Sequence, residues 1–461
     1  MLTSPSLGRH AQRTLRHQGL LNVAQRRGLA APASGSFQYQ TGDSNGVKFA
    51  SRDLAGPTTT LGLVSRAGTR YQPFPGLTEG LERFAFRTTD RRSTLRITRE
   101  IELLGAEQYT EHTRESLIIG AKFLRDDLPY FVELFAEIAT QTQYPGYLFH
   151  EEIESIIEMS KKKHLADTAA MALNSAHALA FHRGLGAPLT PASNVPVNKY
   201  LSSESIHEFS RDAYSKANLA IVANGAEHGE LTKWVNEFFS DAALPQGTPL
   251  KSEQSKYHGG EERISHASPK NSVVLAFPGS SSYTGGFYKP EVAVLTTLLG
   301  GQTSIKWSPG FSLLSKATAN FPTANVQTKS AIYSDAGLLY VLITGSSGDV
   351  AGAANEAVKA IKGIAEGGQI GQELFAKAKA LAKFRELEHG QNIKAGIQLT
   401  GAGLTQQGKP YQLDETAKAI DGVTEGQVKK AAKEILDYKA SVSAVGDLHV
   451  LPFADELGLK V

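Results

Sequence analysis

The sequence contains no cysteine among its 461 residues. That excludes a disulfide scaffold, a thiolate zinc site, an iron–sulfur cluster and any cysteine nucleophile. It also lacks a run of about 18–20 consecutive apolar residues, the length that a membrane-spanning helix requires. A dominant charge sign is missing too. The 48 Lys and Arg against 46 Asp and Glu give a net +2, which provides no basic face for general nucleic-acid binding. No His-Glu-x-x-His, His-x-x-Glu-His, Gly-x-Ser-x-Gly or Walker loop occurs. Against these absences, 41% hydrophobic and 20% charged residues describe a folded chain with ample core. At ~150 residues per domain the length suits roughly two to four domains.

The charge is unevenly placed. Residues 1–29 hold five arginines (Arg9, Arg13, Arg16, Arg26 and Arg27) and no acid, and the first carboxylate is Asp43. A leading segment rich in Arg, Ser, Thr, Leu and Ala without a long apolar core is predicted to be a mitochondrial transit peptide, 1–29, cut after Leu29. The alternative is a disordered basic tail that binds an acidic partner. Without those five arginines the chain has 43 basic against 46 acidic residues, a net −3.

The remainder reads as two related halves. With one constant offset, Ser203 falls on Thr424, Glu204 on Glu425 and Gly225 on Gly446. Each copy is a Ser/Thr helix start, an amphipathic helix and a short strand ending at Gly, with Ser203 and Thr424 as expected N-caps. A second echo pairs Thr58–Gly68 with Asn271–Gly279. The predicted units are residues 40–240 and 262–461, joined by a Pro-, Gly-, Ser- and Lys-rich linker, 241–261. Helical spacing links Leu128, Phe131, Phe135 and Ile138, then Ile153, Ile156 and Ile157 within 151–163. It recurs at Val292, Leu295, Leu298 and Leu299, and across 374–387. Strands are predicted at 58–64, 116–122, 220–223, 273–277, 337–344 and 441–445. Strands mixed with long helices, without regular βαβ alternation, indicate an α+β fold.

Residue by residue, no complete catalytic constellation emerges. His177 and His182 are five apart and do not share a helix face. His150 beside Glu151 and Glu152 reads as a surface group at a helix start. Gly401-Ala-Gly403…Gly408 misses the dinucleotide spacing and reads as a loop.

One resemblance covers residues of about 45–455. Ser65-Arg-Ala-Gly-Thr-Arg-Tyr71 followed by Gly76-Leu-Thr-Glu-Gly-Leu-Glu-Arg-Phe84 resembles the M16 metallopeptidase family, as do Ala180–Leu189 and Ile420–Pro452. In active members Gly-x-x-His-x-x-Glu-His lies on one helix. The two histidines bind zinc, the intervening Glu acts on zinc-bound water, and a distal Glu completes the ligands. The resemblance places Glu79 and Arg83 at the two histidine positions, Glu82 at the base position and Glu158 at the distal ligand. Arg83 has no lone pair to donate, so the resemblance implies a degenerate zinc site, with no catalytic residue, metal or cofactor. Glu79 and Arg83 are expected to pair at i,i+4, and Glu158 to lie on a solvated helix and pair with Lys162. A residual peptidase in which Glu79, Glu82 and Glu158 hold a harder ion is opposed by Arg83.

The resemblance also implies two LuxS/metallohydrolase-like α+β halves. Inactive mitochondrial members serve as structural core subunits of the dimeric ubiquinol–cytochrome c reductase (respiratory complex III) on the matrix side of the inner membrane. They sit with a homologous core protein 1, cytochrome b and cytochrome c1, and have no span of their own. Others are the non-catalytic alpha subunit of the mitochondrial processing peptidase, which carries a long glycine-rich loop. Here the corresponding stretch, Leu299–Phe311, has three glycines and is interrupted by Trp307 and Pro309, which favours the structural role.

Overall fold

The structure, a computed structural model, describes residues 37–191, 195–241, 244–301 and 310–461. The predicted leader, 1–29, and residues 302–309 of the Leu299–Phe311 stretch lie outside the described residues.

Two sheets organise the chain. The first contains β1 (Gln40–Ser44), β2 (Val47–Arg52), β3 (Thr58–Ser65), β4 (Glu107–His112), β5 (Leu117–Leu124) and β6 (Leu219–Asn224), in the order β1-β2-β6-β3-β5-β4. The second contains β7 (Gly260–Ser265), β8 (Asn271–Pro278), β9 (Asn325–Ile332), β10 (Gly337–Gly345) and β11 (Ser441–Gly446), in the order β7-β11-β8-β10-β9. Without β1 the two orders coincide. In each half the last strand slots between the first two, parallel to one and antiparallel to the other. The residues between them, 244–259, contain no helix or strand.

The helices are α1 (Leu77–Phe84), α2 (Thr94–Leu103), α3 (Leu128–Gln141), α4 (Glu154–Ala166), α5 (Thr168–Phe181), α6 (Ser203–Ala213) and α7 (His228–Asp241) in the first half. The second half has α8 (Pro290–Leu299), α9 (Leu313–Ala317), α10 (Ser347–Ala365), α11 (Gln372–Gln391), α12 (Ile393–Gln406), α13 (Leu413–Asp421) and α14 (Glu425–Asp437). This is the α+β architecture expected. Thr424 caps α14 as predicted, through a reciprocal box with Gln427. In the first half the cap is Ser202 rather than Ser203: its hydroxyl accepts from the Ser205 N–H, and Ser203 is already the first helical residue.

Each sheet buries both faces, and the two covers come from different halves. Leu63, Ile119 and Ile221 point into a core with α1 and α3. Their neighbours Val64, Ile118, Ala220 and Val222 pack instead on Ile397 and Leu404 of α12, from the other half. The reverse holds in the second sheet. Val273, Leu275 and Val341 face their own helices, while Val274, Ala276 and Tyr340 pack on Ala172, Ala176 and Ala180 of α5. The halves therefore exchange a helix. Both exchanged helices are built from small residues, which allows close approach to a sheet. A Cβ on Gly401 would lie 2.4 Å from Val64 Cγ2, and one on Gly62 would lie 2.4 Å from Ile397 Cγ2. Gly401 and Gly403 thus belong to a helix, not the loop expected. Their lack of side chains serves packing rather than a turn.

Charge locks the seam beside these helices. The buried Arg70 guanidinium donates to Asp335 through Nη1 (2.7 Å) and Nη2 (2.6 Å), and to Glu115 Oε1 (2.8 Å). It also donates to Ser252 Oγ and the Glu253 carbonyl of the connecting segment. Glu115 accepts in turn from the Ser334 N–H at 2.9 Å. One side chain thus ties the first half, the connection and the second half together.

Candidate functional site

Helix α1 carries the motif positions. It starts at Gly76, whose φ of 98° is the left-handed conformation that glycine adopts without strain. Leu77, Leu81 and Phe84 anchor it in the core, and Gly80 permits contact with Ile206 of α6, where a Cβ would come within 2.6 Å of Cδ1. With that side fixed, Glu79 and Glu82 are held inward and almost fully buried, while Arg83 remains partly exposed.

The two carboxylates have different partners. Arg83 Nη2 lies 3.6 Å from Glu79 Oε1, the i,i+4 pair expected, and Arg83 Nη1 lies 3.8 Å from Glu82 Oε1. The stronger contact of Glu82 is to His112 at the end of β4, whose Nδ1 donates to Glu82 Oε2. The other ring nitrogen, Nε2, donates to the Leu189 carbonyl at 3.0 Å. Both ring nitrogens face oxygens, an arrangement that an imidazolium paired with the Glu82 carboxylate satisfies at both positions. Burial opposes that charge, but the hydrogen bond to Glu82 and its negative charge raise the His112 pKa. Burial also works against the Glu82 carboxylate, yet His112 and Arg83 hold it below its ordinary value. Glu79 goes the other way. Burial pushes its carboxyl up, offset in part by Ser160 of α4 and by the charges of His112 and Arg83.

Glu158 lies on α4, the helix that also brings Ser160 to Glu79. Its Oε1 accepts from the Val197 N–H at 3.2 Å, and its Oε2 lies 3.7 Å from Lys161 Nζ. The expected partner Lys162 is not used. Lys161, one residue earlier, is on the inward face and also reaches the Val195 carbonyl. Nor is Glu158 freely solvated, since it fastens the segment before α6 to α4. Burial raises the pKa of the Tyr200 phenol, and the charges of Glu158 and Glu79 add to that rise. The four motif positions thus lie around one neighbourhood of ion pairs and hydrogen bonds, in which Glu79 Oε2 and Arg83 Nε are buried without a hydrogen-bond partner.

Zinc needs lone-pair donors from nitrogen, sulfur or carboxylate oxygen. Here a guanidinium lies between two carboxylates and an imidazolium holds one of them, so this donor set does not fit the ion. Among the described residues no group of three His, Cys, Asp or Glu is arranged to hold a metal. Sequence reasoning missed His112. It lies in the polar edge strand Glu107–His112, which has no hydrophobic alternation, and only the β4–α1 packing brings it to Glu82. The histidines weighed in the sequence lie away from this group. His150 is exposed beside Glu154, His177 is buried between the Leu173 carbonyl and the Tyr333 hydroxyl, and His182 stacks on His258.

Fold and motif together define a class, and comparison agrees. Residues 48–190 match the family described as insulinase (peptidase family M16), and residues 200–381 match the peptidase M16 inactive domain. The chain belongs to the M16 family. It is 49% identical over 461 residues, the whole of both chains, to a mitochondrial cytochrome b-c1 complex subunit 2 of Neurospora crassa. It is 34% identical to the protein of the same name in Yarrowia lipolytica, over 94% of this chain and 99% of that one. A mitochondrial-processing peptidase subunit alpha of Solanum tuberosum is 26% identical over 90% of this chain and 83% of that one.

Proposed function

We propose that this chain is a non-catalytic structural subunit of mitochondrial ubiquinol–cytochrome c reductase, respiratory complex III. The observation that carries this reading is the 49% identity to a cytochrome b-c1 complex subunit 2 along the entire length of both proteins. A subunit of that complex works inside a multisubunit assembly. We assign core protein 1, cytochrome b and cytochrome c1 as its partners in a dimeric complex, and the matrix face of the inner membrane as its place. None of the described helices is long and apolar enough to cross a membrane, so attachment runs through protein contacts. Residues 1–29 act as the import leader.

Glu79, Glu82, Arg83 and Glu158 are, on this reading, the remnant of a zinc-peptidase site converted to structure. Without a metal to lower the pKa of water, Glu82 has no activated nucleophile to assist. The contribution to quinol oxidation is indirect, through assembly and support of the redox subunits. The match to a processing-peptidase alpha subunit supplies the competing reading.

Affinity purification of the native chain from mitochondria separates the two. Co-purification of cytochromes b and c1 with haem absorbance is expected, whereas a haem-free heterodimer that cleaves presequences would sink the proposal. Zinc analysis of the same material is expected to find less than one ion per chain. A stoichiometric ion, with peptidase activity lost in Glu82→Gln, would overturn the remnant assignment.

A further inference from the structure

A cavity of about 300 Å³ opens in the seam between the halves, bordered by the β4–β5 turn, the β9–β10 turn, α11 and α12. That volume is at the lower end of ligand sites. Its chemistry centres on Glu386 of α11. This carboxylate forms no salt bridge among the described residues, and its hydrogen-bond partner is the Tyr411 hydroxyl at 3.5 Å. Tyr411 is itself buried, and Tyr283 and Tyr288 stand on the same lining with their rings 5.2 Å apart, edge to face. Other polar atoms of the lining also lack partners: Oε1 and Nε2 of Gln406, and the hydroxyls of Ser116 and Ser330.

Of the other charges around the cavity, Glu115 is held by Arg70 and Ser334 and Glu415 reaches the Tyr283 hydroxyl. Burial raises the Glu386 pKa, and His389, exposed one turn further along the same helix, offsets that rise in part through its charge without forming an ion pair with it. The internal duplication sharpens the contrast. In element order α11 occupies the place that α4 has in the first half. There Glu158 is satisfied by Lys161 and the Val197 N–H; among the described residues Glu386 has no lysine or arginine ion pair of that kind.

A half-buried carboxylate with no lysine or arginine paired to it among the described residues, beside aromatic rings, complements one organic cation. The acceptors beyond the carboxylate favour a guanidinium over an ammonium. Its planar fork donates five N–H groups, two of which a carboxylate takes, leaving the others for Gln406 Oε1 and the serine hydroxyls. We propose that the seam cavity binds one guanidinium group, with Glu386 as its counter-ion and Tyr288 and Tyr411 as its aromatic walls.

Equilibrium binding to the purified complex that contains this chain tests the proposal. The probes are labelled arginine amide and its uncharged isostere citrulline amide. Saturable binding of arginine amide, with citrulline amide about tenfold weaker or worse, is expected from loss of the charge-assisted pair. Glu386→Gln is expected to erase that preference, and Gln406→Ala to weaken arginine amide severalfold. A glycine-flanked peptide with one arginine, run against its citrulline twin, distinguishes the sources. Preference for the peptide assigns the guanidinium to a protein segment, and equal binding of peptide and free amide assigns it to a small molecule. Equal binding of both amides to the wild type, no binding of any arginine probe, or a preference that survives Glu386→Gln would overturn the proposal. If the Glu386→Gln chain does not assemble, the wild-type comparison decides alone.

Discussion

Glu82 and His112 form an ion pair whose pH dependence follows from the direction of each shift. The imidazole is raised from its ordinary 6.5, so its contribution is complete below that value and disappears as pH rises through the folded pKa. The carboxyl is lowered from its ordinary 4.5, so its contribution is complete above that value and disappears as pH falls through the folded pKa. The pair therefore stabilises most between the two ordinary values, with a shoulder on each side. Thermal unfolding across pH should show His112→Ala destabilised by about 3 kcal/mol in that window, the cost of orphaning a buried partner. The difference should narrow above the raised imidazole pKa. A difference that does not change with pH would mean that His112 contributes packing alone. The same logic explains why Arg83 is tolerated in a buried acidic pocket: with His112 it balances Glu79 and Glu82, where a lone cation or a lone acid would be costly.

Among the elements, α5 and α12 are the least expected, because each leaves its own half. Their sequences read as weakly amphipathic and small, and Gly401 inside α12 lowers helix propensity. The packing accounts for that residue. At Gly401 a Cβ would meet three Val64 side-chain atoms at 2.4–2.7 Å. Gly401→Ala should therefore destabilise by ~1–2 kcal/mol despite its better propensity, because overpacking outweighs the gain. Gly363→Ala provides the control. It lies exposed in the last turn of α10 with no atom within 4 Å of a Cβ, and should stabilise by ~0.5–1 kcal/mol. Denaturant midpoints of the two variants would decide it, and equal shifts would remove the close-approach argument.

Across the whole molecule, the exchanged helices and Arg70 make two sequence repeats into one body. Burial works against the Asp335 carboxylate, but the hydrogen bonds from Arg70 and Ser255 hold its pKa below the ordinary 3.8. Its stabilising contribution is thus present above that value and is lost as pH falls through the lowered pKa. Arg70→Met leaves Glu115 and Asp335 without their cation, and breaking such a buried network costs about 3–5 kcal/mol. The expected outcome is faster protease cleavage within residues 244–259 and a broadened or split unfolding transition. Cleavage at the wild-type rate would show that the exchanged helices alone hold the seam.

Much of this was legible in the chain itself. The strands found from sequence, such as 273–277 and 220–223, are continuous apolar runs because both faces of each sheet are buried. The duplication was visible in the offset of Gly225 and Gly446, since a Gly after the last strand recurs where the backbone must turn. That Arg83 has no lone pair to donate could be read from its side chain alone. The polar strands β4, β7 and β9 were not legible. They lie at sheet edges and carry no strong hydrophobic alternation, so their pairing depends on neighbours distant in sequence. For the same reason only the tertiary structure brought His112 to Glu82, Arg70 to Asp335, and Glu386 to the lining of the seam cavity. The chain alone determined the repeat and the family motif, which are local patterns. The fold decided which charges meet, because burial and partner distance are properties of packing.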